Sequence, residues 1–210
     1  MDLYETVDLI TKGLTFNLIV SVIIYGYLYL IKRKVSPFLF FYIVSCLLFD
    51  VVNYFSGRIF GFNHFLIPLF GIFEFIFWSL FFLEKEKRKV FHYKKILCFY
   101  LLIVFVEIYF LFFKESFLPI PSRSLGYALL LYLIIRFCMI STYEQIKPYK
   151  SILFWVLFYT SFGCIYYLLL SFSVYWANNL KFILWLLQSI FLHFFYIAIT
   201  YYQWNIGKNR

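Results

Sequence analysis

Charge is what this sequence has least of. Only 14% of its 210 residues are charged, against about a quarter in an average soluble domain. With 64% hydrophobic residues and a mean hydropathy of +0.86, the chain lacks the polar side chains to cover a core in water. That shortage excludes a soluble enzyme and a disordered tail. Cysteine is scarce as well: Cys46, Cys98, Cys138 and Cys164 all stand in apolar runs without CxxC spacing. A secreted disulfide scaffold is thereby excluded, and cysteine-bound metal has no support. The small cysteine side chains suit close helix contacts instead. HExxH, GxSxG, a Walker loop and a DxxxD pair are all missing. So is a mid-helix lysine for a retinal Schiff base, since Lys181 stands at the outer end of the last span and His193 holds its centre. The N-terminus has neither the basic segment nor the small-residue cleavage site of a signal peptide, so the first span is expected to remain as an anchor.

What the sequence has in abundance is apolar length. Runs long enough to cross a bilayer, bounded by charges or prolines, lie near residues 14–31, 37–55, 59–83, 94–113, 122–141, 151–173 and 179–203. Without strand alternation, lipid leaves the helix as the way to satisfy the backbone. The expectation is an all-α, polytopic bundle of seven transmembrane helices forming one integral membrane domain over residues 1–210. Lys32, Arg33 and Lys34 close the first span, and Pro37 opens the second where a helix spares an amide. Gly57 and Arg58 read as the next turn, and Glu84 to Lys89 close the third span.

The net charge of +9 would point to nucleic acid in a soluble protein. Placed on seven spans, thirteen Lys and Arg fall on the side of the C-terminus and five on the other, with Arg136 inside a span. That asymmetry predicts an outer N-terminus and a cytoplasmic C-terminus in the inner (cytoplasmic) membrane. Topology then accounts for the charge, and no nucleic-acid partner is expected.

The few ionisable residues inside spans are the candidates for function, because each costs several kcal/mol unless paired or hydrated. Glu74 and Arg136 are expected at matching depth, roughly 20 Å below the outer boundary. They have opposite sign, and they read as an intramembrane ion pair: a structural clamp, or a latch between the third and fifth helices. A second group reads as a polar cavity or ligand site open to the outside: Asp50 and Asn53 on the second helix, Asn63 and His64 entering the third, and Glu107 on the fourth. Pro68 is expected to kink the third helix by leaving the His64 carbonyl without its donor. On the seventh helix Trp185, Ser189, His193, Tyr196, Thr200 and Gln203 lie within about 40° of one line. Such a stripe has to face the bundle, either as interhelical hydrogen bonds or as the lining of a ligand path.

The stretch Asn63-His64-Phe65-Leu66 leading to Glu74, with the seven spans around it, resembles small seven-helix membrane proteins of AT-rich bacterial genomes. The resemblance implies a sensor acting beside a separate signalling protein; it carries no established activity, specifies no cofactor, and no catalytic residue is assigned. The expectation is a receptor-like or accessory protein that takes an external or bilayer signal to a cytoplasmic protein partner. The lipid bilayer itself and a second copy of the chain are further expected partners. A proton-coupled carrier using Asp50, Glu107, Glu74 and His193 is one alternative, and an intramembrane lipid-modifying enzyme using His64 is another. The basic loop from Glu84 to Lys95 reads as a topology signal touching anionic lipid, at about 1 kcal/mol per basic residue.

Overall fold

A computed structural model describes residues 3–32, 36–60, 65–86, 91–113, 121–172 and 178–208. Among these residues the chain is all-helical, with seven long helices and no strand. The first, α1 (Leu3–Tyr27), continues through a wider π turn at Leu28–Lys32. Next come α2 (Pro37–Phe60), α3 (Leu66–Glu86), α4 (Phe91–Phe113) and α5 (Pro121–Ile140). A short turn at Tyr143–Ile146 and a 3-10 turn at Lys147–Tyr149 lead into α6 (Lys150–Phe172), and α7 (Asn178–Lys208) ends the fold. Pro37 and Pro121 each open a helix, where the missing amide has no intrahelical acceptor to lose.

Five stretches are long and apolar enough to cross a membrane: Leu9–Ile31, Pro37–Ile59, Ser122–Ile140, Lys150–Leu170 and Leu180–Asn205. In α3 the apolar stretch Leu66–Phe82 is shorter. Large apolar side chains stand fully outward on these helices, among them Met139 at 81% exposure and Phe16 at 69%. Lipid is the surrounding that tolerates them, and the chain is a membrane protein on those grounds.

The helix ends correct the sequence reading between the second and third spans. Gly57 and Arg58 are not in a turn: α2 runs past them to Phe60. A chain in lipid keeps its backbone bonds inside the helix as long as it can, and Arg58 in the last turn meets the negative end of the helix dipole. The third helix consequently begins at Leu66 rather than near residue 59. Pro68 therefore falls in the first turn, where no intrahelical bond is lost, and the expected kink has no cause.

The helices sort into two compact units. The first comprises Met1–Phe55, Ser151–Tyr159 and Ala177–Arg210, and the second Ser56–Lys150 and Thr160–Trp176. In the first unit α1 and α7 run parallel, because their contacts advance together along both chains. His193 Nε2 lies 3.0 Å from the Ile10 carbonyl, Thr200 Oγ1 donates to Ser21 Oγ over 2.9 Å, and Tyr25 donates to the Ile199 carbonyl over 3.2 Å. Further along, Gln203 Oε1 accepts the Ser36 amide at the start of α2, 3.3 Å away. Phe195 packs between Tyr159, stacked at 4.1 Å, and Tyr42, edge-on at 6.4 Å.

In the second unit α3, α4 and α5 alternate in direction. Phe75 of α3 meets both Tyr100 and Tyr93 of α4, and Phe82 meets Phe137 of α5. Trp78 is completely buried among Phe77, Phe81 and Phe82.

Candidate functional site

The strongest polar feature of the second unit is an ion pair between α3 and α5. Arg123 Nη2 lies 2.8 Å from Glu74 Oε2, and both side chains are buried, with 4% and 2% exposure. Tyr127, one turn after Arg123, donates its hydroxyl to the same carboxylate oxygen over 2.9 Å. The guanidinium is also covered by aromatic rings: Phe70 at 4.8 Å, Tyr127 at 5.1 Å and Tyr167 at 5.2 Å. Each desolvated cation–ring contact is worth about 0.5–2 kcal/mol. Three helices, α3, α5 and α6, thus contribute side chains to one buried cation.

Glycines let these helices close in. A β-carbon at Gly126 would stand 2.6 Å from the Tyr100 hydroxyl oxygen, and one at Gly163 would stand 2.7 Å from the Tyr127 ring. One at Gly71 would meet the Tyr100 oxygen at 3.0 Å and Arg123 Cδ at 3.1 Å. Two tyrosines therefore occupy glycine notches on either side of the ion pair. The packing leaves a void of about 10 Å³ beside it, which is at the lower limit for a single water. An organic ligand does not fit there. The cluster is built as a lock between helices rather than as a pocket.

The expected partner of Glu74 is corrected by this geometry. The cation on its carboxylate is Arg123, whereas Arg136 is half-buried further along α5. Thirteen residues of α5 separate the two arginines, about 20 Å along the axis. In the sequence Arg123 is one of the five basic residues on the outer side, and a third span starting at residue 59 puts Glu74 too deep to meet it. With α3 starting at Leu66, Glu74 is only about 12 Å into its helix, and its depth no longer matches that of Arg136. The available signal was the pair of glycines, Gly71 before Glu74 and Gly126 after Arg123, which mark close approach.

Glu107 bonds the residue next to Arg123, at the same end of α5. Its Oε2 accepts the Ser122 amide over 3.0 Å, one of the donors that the first turn of α5 cannot satisfy internally. A carboxylate at this position also faces the positive end of the helix dipole. Its second oxygen and the Tyr100 hydroxyl are buried with no hydrogen-bond partner among the described residues.

The remaining candidates belong to the first unit, except Asn63 and His64, which lie outside the described residues. Asp50 Oδ2 accepts the Thr15 hydroxyl over 2.5 Å. His193 uses Nε2 toward the Ile10 carbonyl, so that nitrogen carries the proton, and Nδ1 is left to accept from Asn17 Nδ2 at 3.4 Å. Asn17 Nδ2 also donates to the His193 carbonyl over 3.2 Å. Thr15 and Asn17 are about 200° apart round α1, so Asp50 and His193 engage opposite faces of that helix. Tyr196 is buried, its carbonyl accepting Thr200 Oγ1, while Ser189 is half-buried and Asn53 is exposed. The stripe on α7 is therefore largely spent on α1: His193, Thr200 and the neighbouring Ile199 carbonyl all bond to it. Its first member, Trp185, is half exposed.

Among the described residues no three His, Cys, Asp or Glu side chains converge to hold a metal. The first unit does have a larger apolar groove of about 300 Å³, lined by Trp155, Phe158, Phe191 and Phe194 among others. Its walls are hydrocarbon and aromatic, which suits an apolar chain and offers nothing to orient a polar ligand. Comparison of the chain with protein-family models, with curated proteins and with solved structures finds no match.

Proposed function

We propose that the chain is a receptor-like or accessory membrane protein that takes a signal from the outside or from the bilayer and passes it to a separate protein. In this reading all seven helices span the inner membrane, with the N-terminus outside and the C-terminus in the cytoplasm, and the receiver is a cytoplasmic or membrane partner, a second copy included. Nucleic acid has no part in it.

One observation carries the reading: the buried, aromatic-covered Glu74–Arg123 pair joining α3 and α5. A buried pair of this kind adds little net stability compared with apolar packing, yet is expensive to half-remove. Those are the energetics of a two-position latch, held or released as a whole. The absence of room for an organic ligand beside it favours a helix movement over ligand capture at this point. The apolar groove of the first unit supplies a surface on which bilayer composition acts.

The test is affinity purification from the native host with wild type and Glu74→Gln, both checked for folding. A partner held by the wild type and lost, or retained more strongly, in the folded variant supports the reading. Identical partner recovery from both overturns the latch. Proton-driven flux in liposomes that disappears in Glu107→Gln overturns the receptor in favour of a carrier.

A further inference from the structure

The outward face of α4 carries a site of another kind. Buried positions on this helix are Tyr93, Tyr100, Val104 and Glu107, which form one stripe against its neighbours in the second unit. Opposite them runs an unbroken exposed stripe at helical spacing: Lys95, Cys98, Phe99, Leu102, Phe105, Val106 and Tyr109. Phe99 is 57% exposed, Leu102 62% and Phe105 66%. A helix apolar on both faces, with one face unpacked, has its outer face in lipid.

The stripe is not uniform along its length. Its first turn holds two adjacent exposed lysines, Lys94 and Lys95. From Lys95 to Phe105 the helix rises about 15 Å, which is the depth of one leaflet's hydrocarbon, half of about 30 Å. A paired cationic head above a leaflet-deep apolar track complements a molecule with an anionic head and a hydrocarbon tail. We propose that this face of α4 binds an anionic phospholipid, its phosphate between Lys94 and Lys95 and an acyl chain along Phe99, Leu102 and Phe105. The assignment requires that the protein sit in a membrane, but it does not depend on the receptor reading.

Charge complementarity selects the headgroup. A zwitterionic lipid presents its own ammonium to the two lysines, whereas an anionic one presents phosphate alone. Near a membrane surface each lysine contributes about a fivefold preference for anionic lipid. Lysines elsewhere serve as the internal control: Lys147 and Lys150 are exposed too, but stand in the 3-10 turn and at the first residue of α6, away from α4.

The experiment is native mass spectrometry of the full chain released from nanodiscs, titrated with phosphatidylglycerol or phosphatidylcholine. Wild type is expected to retain phosphatidylglycerol at least tenfold more tightly. Lys94→Gln/Lys95→Gln is expected to lose most of that preference with unchanged helicity, and Lys147→Gln/Lys150→Gln to keep it. An undiminished preference in the first double variant overturns the site. So does equal loss in the control variant, which would mark a diffuse basic surface. Thermal stabilisation of the protein in phosphatidylcholine by inorganic phosphate, to the level reached with phosphatidylglycerol, assigns the lysines to a free anion and also overturns it.

Discussion

Tyr100 reaches from α4 into the notch at Gly126 of α5 so closely that its hydroxyl oxygen lies 2.6 Å from the place a β-carbon would take. The contact is a wedge that sets how near α4 and α5 approach, and the Glu74–Arg123 pair lies against its edge. Packing there is dense on every side except for the small void. Size at position 126 is therefore felt by the whole cluster.

Gly126→Ala is expected to destabilise the protein by about 1–3 kcal/mol, the usual result of overfilling a packed site. The phenol ring carbon is itself 2.9 Å from the same point, so Tyr100→Phe leaves most of the clash in place and Tyr100→Ala removes it. Gly13→Ala is the contrasting case, because its β-carbon meets the His193 ring at an ordinary 3.5 Å. There the better helix propensity of alanine is expected to leave stability unchanged or raised. Denaturant titration in detergent, followed by circular dichroism, gives both values. A Gly13→Ala loss as large as the Gly126→Ala loss contradicts the wedge.

Breaking the ion pair from one side is expected to cost more. Glu74→Gln leaves a guanidinium 4% exposed without its carboxylate, a change worth about 3–5 kcal/mol where buried pairs are split. Replacing both members, Glu74→Leu with Arg123→Met, removes charge and counter-charge together and is expected to recover most of the loss. The same unfolding titration reads the double-mutant cycle. Additive losses in the double variant would falsify the pair as an energetically coupled unit.

The α1–α7 contacts belong to a weaker class. Hydrogen bonds between helices in lipid average about 0.6 kcal/mol, so Thr200→Val and Asn17→Leu are each expected to cost under about 1 kcal/mol in unfolding experiments. A loss from Thr200→Val above that of Glu74→Gln would reverse the ranking of the two units' locks. Such small values also mean that this seam is held by several modest bonds, none of them decisive.

The helical class was readable because apolar length survives any error in detail: each of the seven expected spans overlaps a helix. The stripe on α7 was readable too, since a period of 3.6 fixes a face without reference to neighbours, and that face does meet α1. What the sequence could not supply was register between helices. Depth counted from a boundary at residue 59 pairs Glu74 with Arg136; with α3 starting seven residues later that match is lost, and the contact that forms is with Arg123. Asp50 and His193 could each be placed on a face of its own helix, but the face of α1 that each meets was not legible, and they meet opposite ones. Glycine at 71, 126 and 163 says that something approaches closely, yet only the fold says that it is a tyrosine in all three places.

Tyr127 allows the shape of the site to be separated from its chemistry. Its hydroxyl donates to Glu74, while its ring lies over Arg123 and against Gly163. Tyr127→Phe keeps the ring and deletes the donor, and a hydrogen bond to a charged group is worth about 1.5–3 kcal/mol. Gly163→Ala keeps the donor and crowds the ring at 2.7 Å, at a cost of about 1–3 kcal/mol. Stability alone therefore does not tell the two variants apart, but their coupling to Glu74 does. In the Glu74→Gln background the Tyr127→Phe loss is expected to shrink by half or more, because the charged acceptor has gone. The Gly163→Ala loss is expected to persist there, since crowding does not depend on charge. Equal persistence of both losses would mean that Tyr127 holds the site by shape alone, and that its bond to Glu74 contributes nothing to the stability of the ion pair.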